Sequence, residues 1–226
     1  MKLLSKYTVV KLSVIAVLSV CVAGWMLYRV ASANEHYGPT PEGFAVMETA
    51  PAVPVVKDGA VELVEYYFFD CPHCMSFDPA LQAAIEAEGN AVHVRRIPVG
   101  SGDLLTRHAA LYYALAQMGK AEGLRHEIYA TLQADGHALD TDEKTIAWVK
   151  AQGIDGAEFE RVYHSAAVKD AIAAGHAEMV RAGITTVPTL VVGGKWVVSP
   201  TTAGGETRAL EVMKGRIEAA RLSPGA

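Results

Sequence analysis

Val61-Glu62-Leu63-Val64-Glu65-Tyr66-Tyr67-Phe68-Phe69 runs directly into Asp70-Cys71-Pro72-His73-Cys74, and the reading of these two segments decides the fold. The first is rich in β-branched and aromatic residues and apolar on both alternating faces except at its two acids, the pattern of a strand. Two apolar faces need two covering layers, so the strand belongs in the middle of a sheet. Pro72 suits the first turn of a helix, where its missing N–H costs nothing. Cys71 is then the expected N-cap, its sulfur at the positive end of the helix dipole among unpaired N–H groups.

A thiol in that position is biased toward thiolate, the form that attacks disulfides. Cys74 lies one helical turn on and on the same face, within reach of a disulfide. His73, between them, can donate a hydrogen bond to the thiolate or stabilise it as a cation. Stabilising the reduced form makes the pair an oxidant of other thiols, so the expected chemistry is dithiol–disulfide exchange. Other uses of the two cysteines fit less well. A c-type haem site needs His directly after the second Cys, where Met75 stands. A zinc site needs further ligands, and there is no other Cys pair and no close His pair. A passive disulfide closing so short a loop gains little stability.

The 226 residues suffice for one large domain or a domain with an insertion, and 51% hydrophobic against 20% charged residues describes a globular chain. The net charge of −5 hides an asymmetry. Residues 1–33 hold four basic residues and no acids; without them 16 basic and 25 acidic residues remain, a net charge of −9. An acidic body argues against nucleic acid as a partner. Lys2, Lys6 and Lys11 precede the uncharged apolar stretch Leu12 to Tyr28, and Ala31-Ser32-Ala33 fits a cleavage site, so residues 1–33 read as a signal peptide. An uncleaved inner-membrane anchor through residues 12–28 is the alternative, since the stretch is just long enough to span a bilayer. Either way the body is exported into an oxidising compartment. Its only cysteines are those of the motif, because the third, Cys21, lies in the leader.

Along the body, 43–47 reads as a short edge strand and Val53 to Val56 as a weak partner of the core. The helix after the motif runs from Pro72 to about Glu88, with a kink expected at Pro79, and Ala91 to Ile97 forms the next strand. Between Gly100 and Gly183 the pattern is wholly helical. Asp103 is a candidate cap, and Asp140 with Glu143 and Asp155 with Glu158 resemble capping boxes. Ala121 to Gln133 and Ala166 to Ala182 carry apolar residues at helical spacing. The strand pattern then returns as a hairpin, Thr189 to Val192 and Lys195 to Val198 around a two-residue Gly193-Gly194 turn. A helix from about Glu206 to Leu222 closes the chain. This is an α/β sheet domain interrupted by an all-helical one: 34–99 and 184–226 make the first, 100–183 the second.

Within the strand, Glu65 shares a face with Leu63 and Tyr67. A buried carboxylate beneath the cysteines can hold charge or shuttle a proton; an exposed strand residue does neither. Arg95-Arg96 is most simply a solvated strand end, though either arginine could pair with Glu65. The Val187-Pro188 bond is trans by the base rate for such bonds. The scattered histidines and the aromatic residues of the helical region are surface and core residues rather than ligands.

Taken together, Glu65 six residues before Cys71-Pro72-His73-Cys74, Phe77-Asp78, Gly102-Asp103-Leu104, Gly183-x-x-x-Val187-Pro188-Thr189 and Gly194-Lys195 resemble the DsbA family of bacterial periplasmic thiol–disulfide oxidases. The resemblance covers about Tyr37 to Leu222. It implies a thioredoxin fold with an inserted helical domain, Cys71 as the exposed nucleophile and Cys74 as its buried partner. It also implies a cis Pro188 packed on the site with Val187 beside the cysteines, and Glu65 as the family's buried acid. Function follows in the same terms: a monomeric periplasmic oxidase, with neither cofactor nor metal, that takes electrons from reduced or unfolded exported proteins. A DsbB-like, quinone-linked inner-membrane partner would reoxidise it. An isomerase or reductase on the same fold is the nearest rival, and a non-catalytic metal-binding module a more distant one.

Overall fold

A computed structural model describes Ser19 and residues 37–50, 56–99 and 102–222. Apart from Ser19, the leader, the cleavage site after Ala33 and Cys21 therefore lie outside the described residues, as do 34–36, 51–55, 100–101 and 223–226. Six strands form one sheet: β1 Ala45–Val46, β2 Val56–Lys57, β3 Ala60–Tyr67, β4 Val92–Pro98, β5 Thr189–Val192 and β6 Trp196–Val198. β3 is its centre, with β4 parallel on it and β2 and β5 antiparallel. The order continues from β5 to β6 and ends at β1.

The strand ends two residues short of the run that predicts it. The Cys71 N–H donates to Phe68 O at 3.2 Å, and this turn lifts the chain off the sheet toward the helix. Helix α1 then spans Pro72–Glu88, with Pro79 accommodated inside it. After β4 come five helices, α2 Asp103–Gln117, α3 Ala121–Ala134, α4 Asp142–Ala151, α5 Gly156–Tyr163 and α6 Ala166–Arg181. A short α7, Pro200–Ala203, and α8, Glu206–Leu222, follow the hairpin.

Alternation along β3 distributes its side chains among separate cores. Val61 and Leu63 pack with Phe77 and Leu81 of α1 and with Met213 and Ile217 of α8. Val64 and Tyr66, on the opposite face, meet Ile97, Val191 and Val197, with Met179 of α6 against them. Tyr67 joins Phe69, both cysteines and the aliphatic core of the five helices, Leu111, Leu115, Ile128 and Leu132. The end of β3 is thus where sheet and helical insertion share one core. Truncating a fully buried residue such as Leu63 costs about 2–5 kcal/mol. A second tie runs from the sheet to α6: Arg95 on β4 donates to both carboxylate oxygens of Glu178 at 2.8 and 2.7 Å, and the Tyr66 hydroxyl donates to the same carboxylate at 3.2 Å.

Several local readings shift by one residue. Gly102, at φ 95°, is the N-cap of α2, so Asp103 is the first helical residue and favours the dipole rather than capping it. Thr141, not Asp140, caps α4, accepting from the Lys144 N–H at 3.2 Å, while Asp140 pairs with the Lys144 ammonium. Asp155 caps α5 as expected. Opposite pairing of Val192 with Trp196 leaves Gly193-Gly194-Lys195 as a three-residue hairpin loop, both glycines having positive φ.

Candidate active site

Cys71 is the N-cap of α1, at φ −96° and ψ 115°. The extended backbone turns its Sγ back over the helix start, where the Cys74 N–H donates to it at 3.4 Å. Both cysteines are free thiols. Across from them the chain re-enters the sheet through Val187-Pro188, whose peptide bond is cis, against the base-rate reading and in line with the family resemblance. The Cys71 thiol points at Val187 O, 4.0 Å away, and Pro188 is buried.

Burial differs from the expected pattern at one cysteine. Cys74 is 2% exposed, as expected, but Cys71 is only 5% exposed, within the core cluster against which Val187 packs. Desolvation pushes the Cys74 thiol well above its ordinary pKa, and nearby Cys71 and Glu65 add to the rise. His73 is exposed, and among the described residues no hydrogen bond joins its ring to Cys71. Pro72, also exposed, occupies the first helical position and sets the entry angle of α1.

Beneath the cysteines, Glu65 is 2% exposed and paired twice. Parallel pairing of β3 and β4 sets it opposite Arg96, whose Nε donates to Glu65 Oε2 at 2.9 Å. Arg96 is itself 7% exposed, which corrects the reading of Arg95-Arg96 as a solvated strand end; its Nη1 also bonds Glu122. From α3, Arg125 Nη2 donates to Glu65 Oε1 at 2.7 Å, and Arg125 Nε donates to Asp78 on α1. The Arg125 guanidinium carbon lies 4.1 Å from the centre of the Tyr67 ring. Burial opposes charge on Arg125, but Glu65, Tyr67, Tyr129 and Asp78 outweigh it and hold the guanidinium protonated.

Neither Arg125 nor the buried state of Asp78 is visible in the sequence around the motif. The one available signal was Asp78 itself, a charged residue at the i+4 position from Cys74 on a helix face that must be buried. Among the described residues no group of three or more His, Cys, Asp or Glu is arranged to hold a metal ion.

A central strand delivering a Cys-x-x-Cys pair to a helix N-terminus, opposed by a cis-proline loop, defines a thiol–disulfide oxidoreductase of thioredoxin fold carrying a helical insertion. Comparison with known proteins makes the assignment narrower. A family model for the DSBA-like thioredoxin domain matches residues 62–209. The thiol:disulfide interchange protein DsbA of Azotobacter vinelandii is 30% identical over 207 residues, covering 91% of this chain and 97% of that protein. DsbA of Pseudomonas syringae pv. tomato is 31% identical over 186 residues, 82% of this chain and 86% of that one. The crystal structure of Pseudomonas aeruginosa DsbA superposes with a TM-score of 0.73 at 26% identity, over 80% of this chain and 93% of that one. The chain belongs to the DSBA-like thioredoxin family, and its activity is that of a thiol–disulfide oxidoreductase.

Proposed function

We propose that this chain is a periplasmic oxidase that donates the Cys71–Cys74 disulfide to reduced or unfolded exported proteins. A substrate thiolate attacks Cys71 Sγ, the Cys71–Cys74 bond breaks, and Cys74 leaves and takes up a proton. A second substrate thiolate then attacks the substrate sulfur of the mixed disulfide and expels Cys71 as thiolate. The client gains one disulfide and the enzyme two electrons. A DsbB-like, quinone-linked membrane partner, which restores the disulfide, completes the cycle.

The observation that carries this reading is the inequality of the two sulfurs. Negative charge on Cys71 Sγ meets the Cys74 N–H and the N-terminus of α1, whereas desolvation raises the Cys74 pKa and holds that sulfur as a thiol. Cys71 is therefore the attacking and attacked atom, and Cys74 the partner. His73 adds positive field at the mouth of the site when protonated. Pro72 fixes the start of the helix, and Val187 and Pro188 close the opposite wall. Of the two roles open to Glu65, its pairing with two guanidiniums supports charge balance. The reading takes the protein as a monomer without cofactor or metal. The proposed division is a signal peptide at 1–33, a thioredoxin-like part at 34–99 and 184–226, and the insertion at 100–183. No helix among the described residues is long and apolar enough to cross a membrane.

The test is the redox equilibrium of the purified protein with glutathione. An oxidase lies toward the most oxidising family values, on the order of −120 mV; a value near thioredoxin's, about −270 mV, overturns the reading in favour of a reductase.

A further inference from the structure

Arg125 is a fully buried cation that thiol–disulfide exchange does not itself require. It sits on α3 in the helical insertion, is 2% exposed, and reaches across to two other elements: Glu65 on β3 and Asp78 on α1. Tyr129 adds a further contact, its hydroxyl accepting from Arg125 Nη2 at 3.4 Å. The guanidinium carbon lies 4.1, 5.3 and 5.8 Å from the ring centres of Tyr67, Tyr129 and Phe69. Those three rings pack in the same core cluster as Cys71 and Cys74. Asp78 lies one turn beyond Cys74 on the buried face of α1. The rings that hold the guanidinium thus belong to the core that buries both sulfurs, and Asp78 ties it to the helix that carries them.

The arithmetic of this layer is even. Glu65 and Asp78 oppose Arg96 and Arg125, and each of the four is less than one-tenth exposed. Glu122, the further acid on Arg96, has its side chain 57% exposed, so water screens most of its charge. Without Arg125, two buried acids would face one buried guanidinium, leaving an excess negative charge behind the cysteines. The reduced form, with negative charge on Cys71, would be disfavoured, while the neutral disulfide would be little affected.

We propose that Arg125 is a positioning residue for disulfide exchange: supplied by the insertion, it locks α1 to β3 and cancels the acids beneath the cysteines, and so keeps the pair oxidising. This rests on the oxidase reading above and assigns the helical insertion a direct part in it. A purely structural clamp would change how much denaturant the protein withstands but would leave the redox equilibrium alone.

The experiment compares the glutathione equilibrium of the full-length protein with that of Arg125→Met, Arg125→Lys, Asp78→Asn and the double variant Arg125→Met/Asp78→Asn. Each is first checked for native circular dichroism. Arg125→Met is expected to lower the equilibrium constant for oxidising glutathione about tenfold, the equivalent of about one pKa unit at a single site. Arg125→Lys keeps the charge and stays within about threefold of the parent. The double variant, balanced again, recovers to within about threefold, and Asp78→Asn alone shifts the other way. An unchanged constant in Arg125→Met, or a shift that the double variant does not reverse, overturns the proposal. If Arg125→Met does not fold, Asp78→Asn decides: no move toward a more oxidising value overturns it. The parent's own constant tests the oxidase reading, and the ratios between variants test Arg125, so the two can fail separately.

Discussion

Glu65 and Arg96 face each other across the parallel β3–β4 ladder, and the Arg96 Nε donates to Glu65 Oε2 at 2.9 Å with both side chains out of water. A paired position in a parallel register is fixed by the backbone, so the β3–β4 register is what brings these two side chains together. Arg125 then satisfies the second Glu65 oxygen and Glu122 the Arg96 Nη1, while Arg96 Nη2 is buried with no hydrogen-bond partner among the described residues.

Breaking such a pair from one side leaves a buried charge short of a partner. Arg96→Met is expected to cost about 3 kcal/mol of folding stability, measured by urea unfolding at pH 7 on the reduced protein. A loss below about 1 kcal/mol would show that Arg125 alone satisfies Glu65.

The order of attack follows from the unequal surroundings of the two sulfurs: the Cys74 N–H donates to Cys71 Sγ at the start of α1, while desolvation holds Cys74 as a thiol. Cys71→Ser is expected to abolish exchange. Cys74→Ser, given an aromatic disulfide reagent, should accumulate a stable adduct on Cys71, because no second thiol is present to expel the bound half. Intact-protein mass spectrometry reads the adduct directly, and its absence contradicts the assigned order.

His73 stands exposed at the second position of α1 and makes no bond to the sulfur, so any contribution comes through its field. His73→Ser is expected to make the protein a poorer oxidant of glutathione by several-fold, and His73→Arg, which keeps a cation at that position, to do so by less. An equal effect of both substitutions would point to packing rather than charge.

Much of this was legible along the chain because it is local. The apolar run of β3, the Pro72 helix start and the Thr189–Val198 hairpin each carry their own signal within ten residues or so. Boundaries slipped where two residues competed for one job. Thr141 and Asp140 can each cap α4, and the β-region backbone of Thr141 decides it. Gly102 precedes Asp103 and takes the positive φ that the chain needs there. Register was not legible at all: whether Arg95 or Arg96 meets Glu65 depends on how β4 slides against β3, which one strand's sequence cannot state. Arg125 is further still from view, 60 residues from its acceptor on another element. Its helix shows an amphipathic pattern in which an arginine on the buried face has no local justification. Only the acids waiting on β3 and α1 explain it.

Far from the cysteines, Asp142 gives the insertion its own pH dependence. Its carboxylate accepts from Arg107 Nε at 2.8 Å and from the Tyr163 hydroxyl at 3.2 Å, joining α2, α4 and α5. The hydrogen bond from Arg107 holds its pKa below the ordinary carboxylate value. A carboxyl depressed by folding binds fewer protons folded than unfolded in the window between its two pKa values, so stability rises with pH across that window. The contribution is complete above the unfolded value of about 3.9 and is lost as pH falls through the folded one. The pair is partly exposed, so solvent screening limits it to about 1 kcal/mol. Asp142→Asn should therefore unfold about 1 kcal/mol more easily at pH 7, with the gap to the parent narrowing as the pH drops from 4 toward 2. A gap that persists undiminished at pH 2 would mean that the aspartate acts through shape and not through its charge.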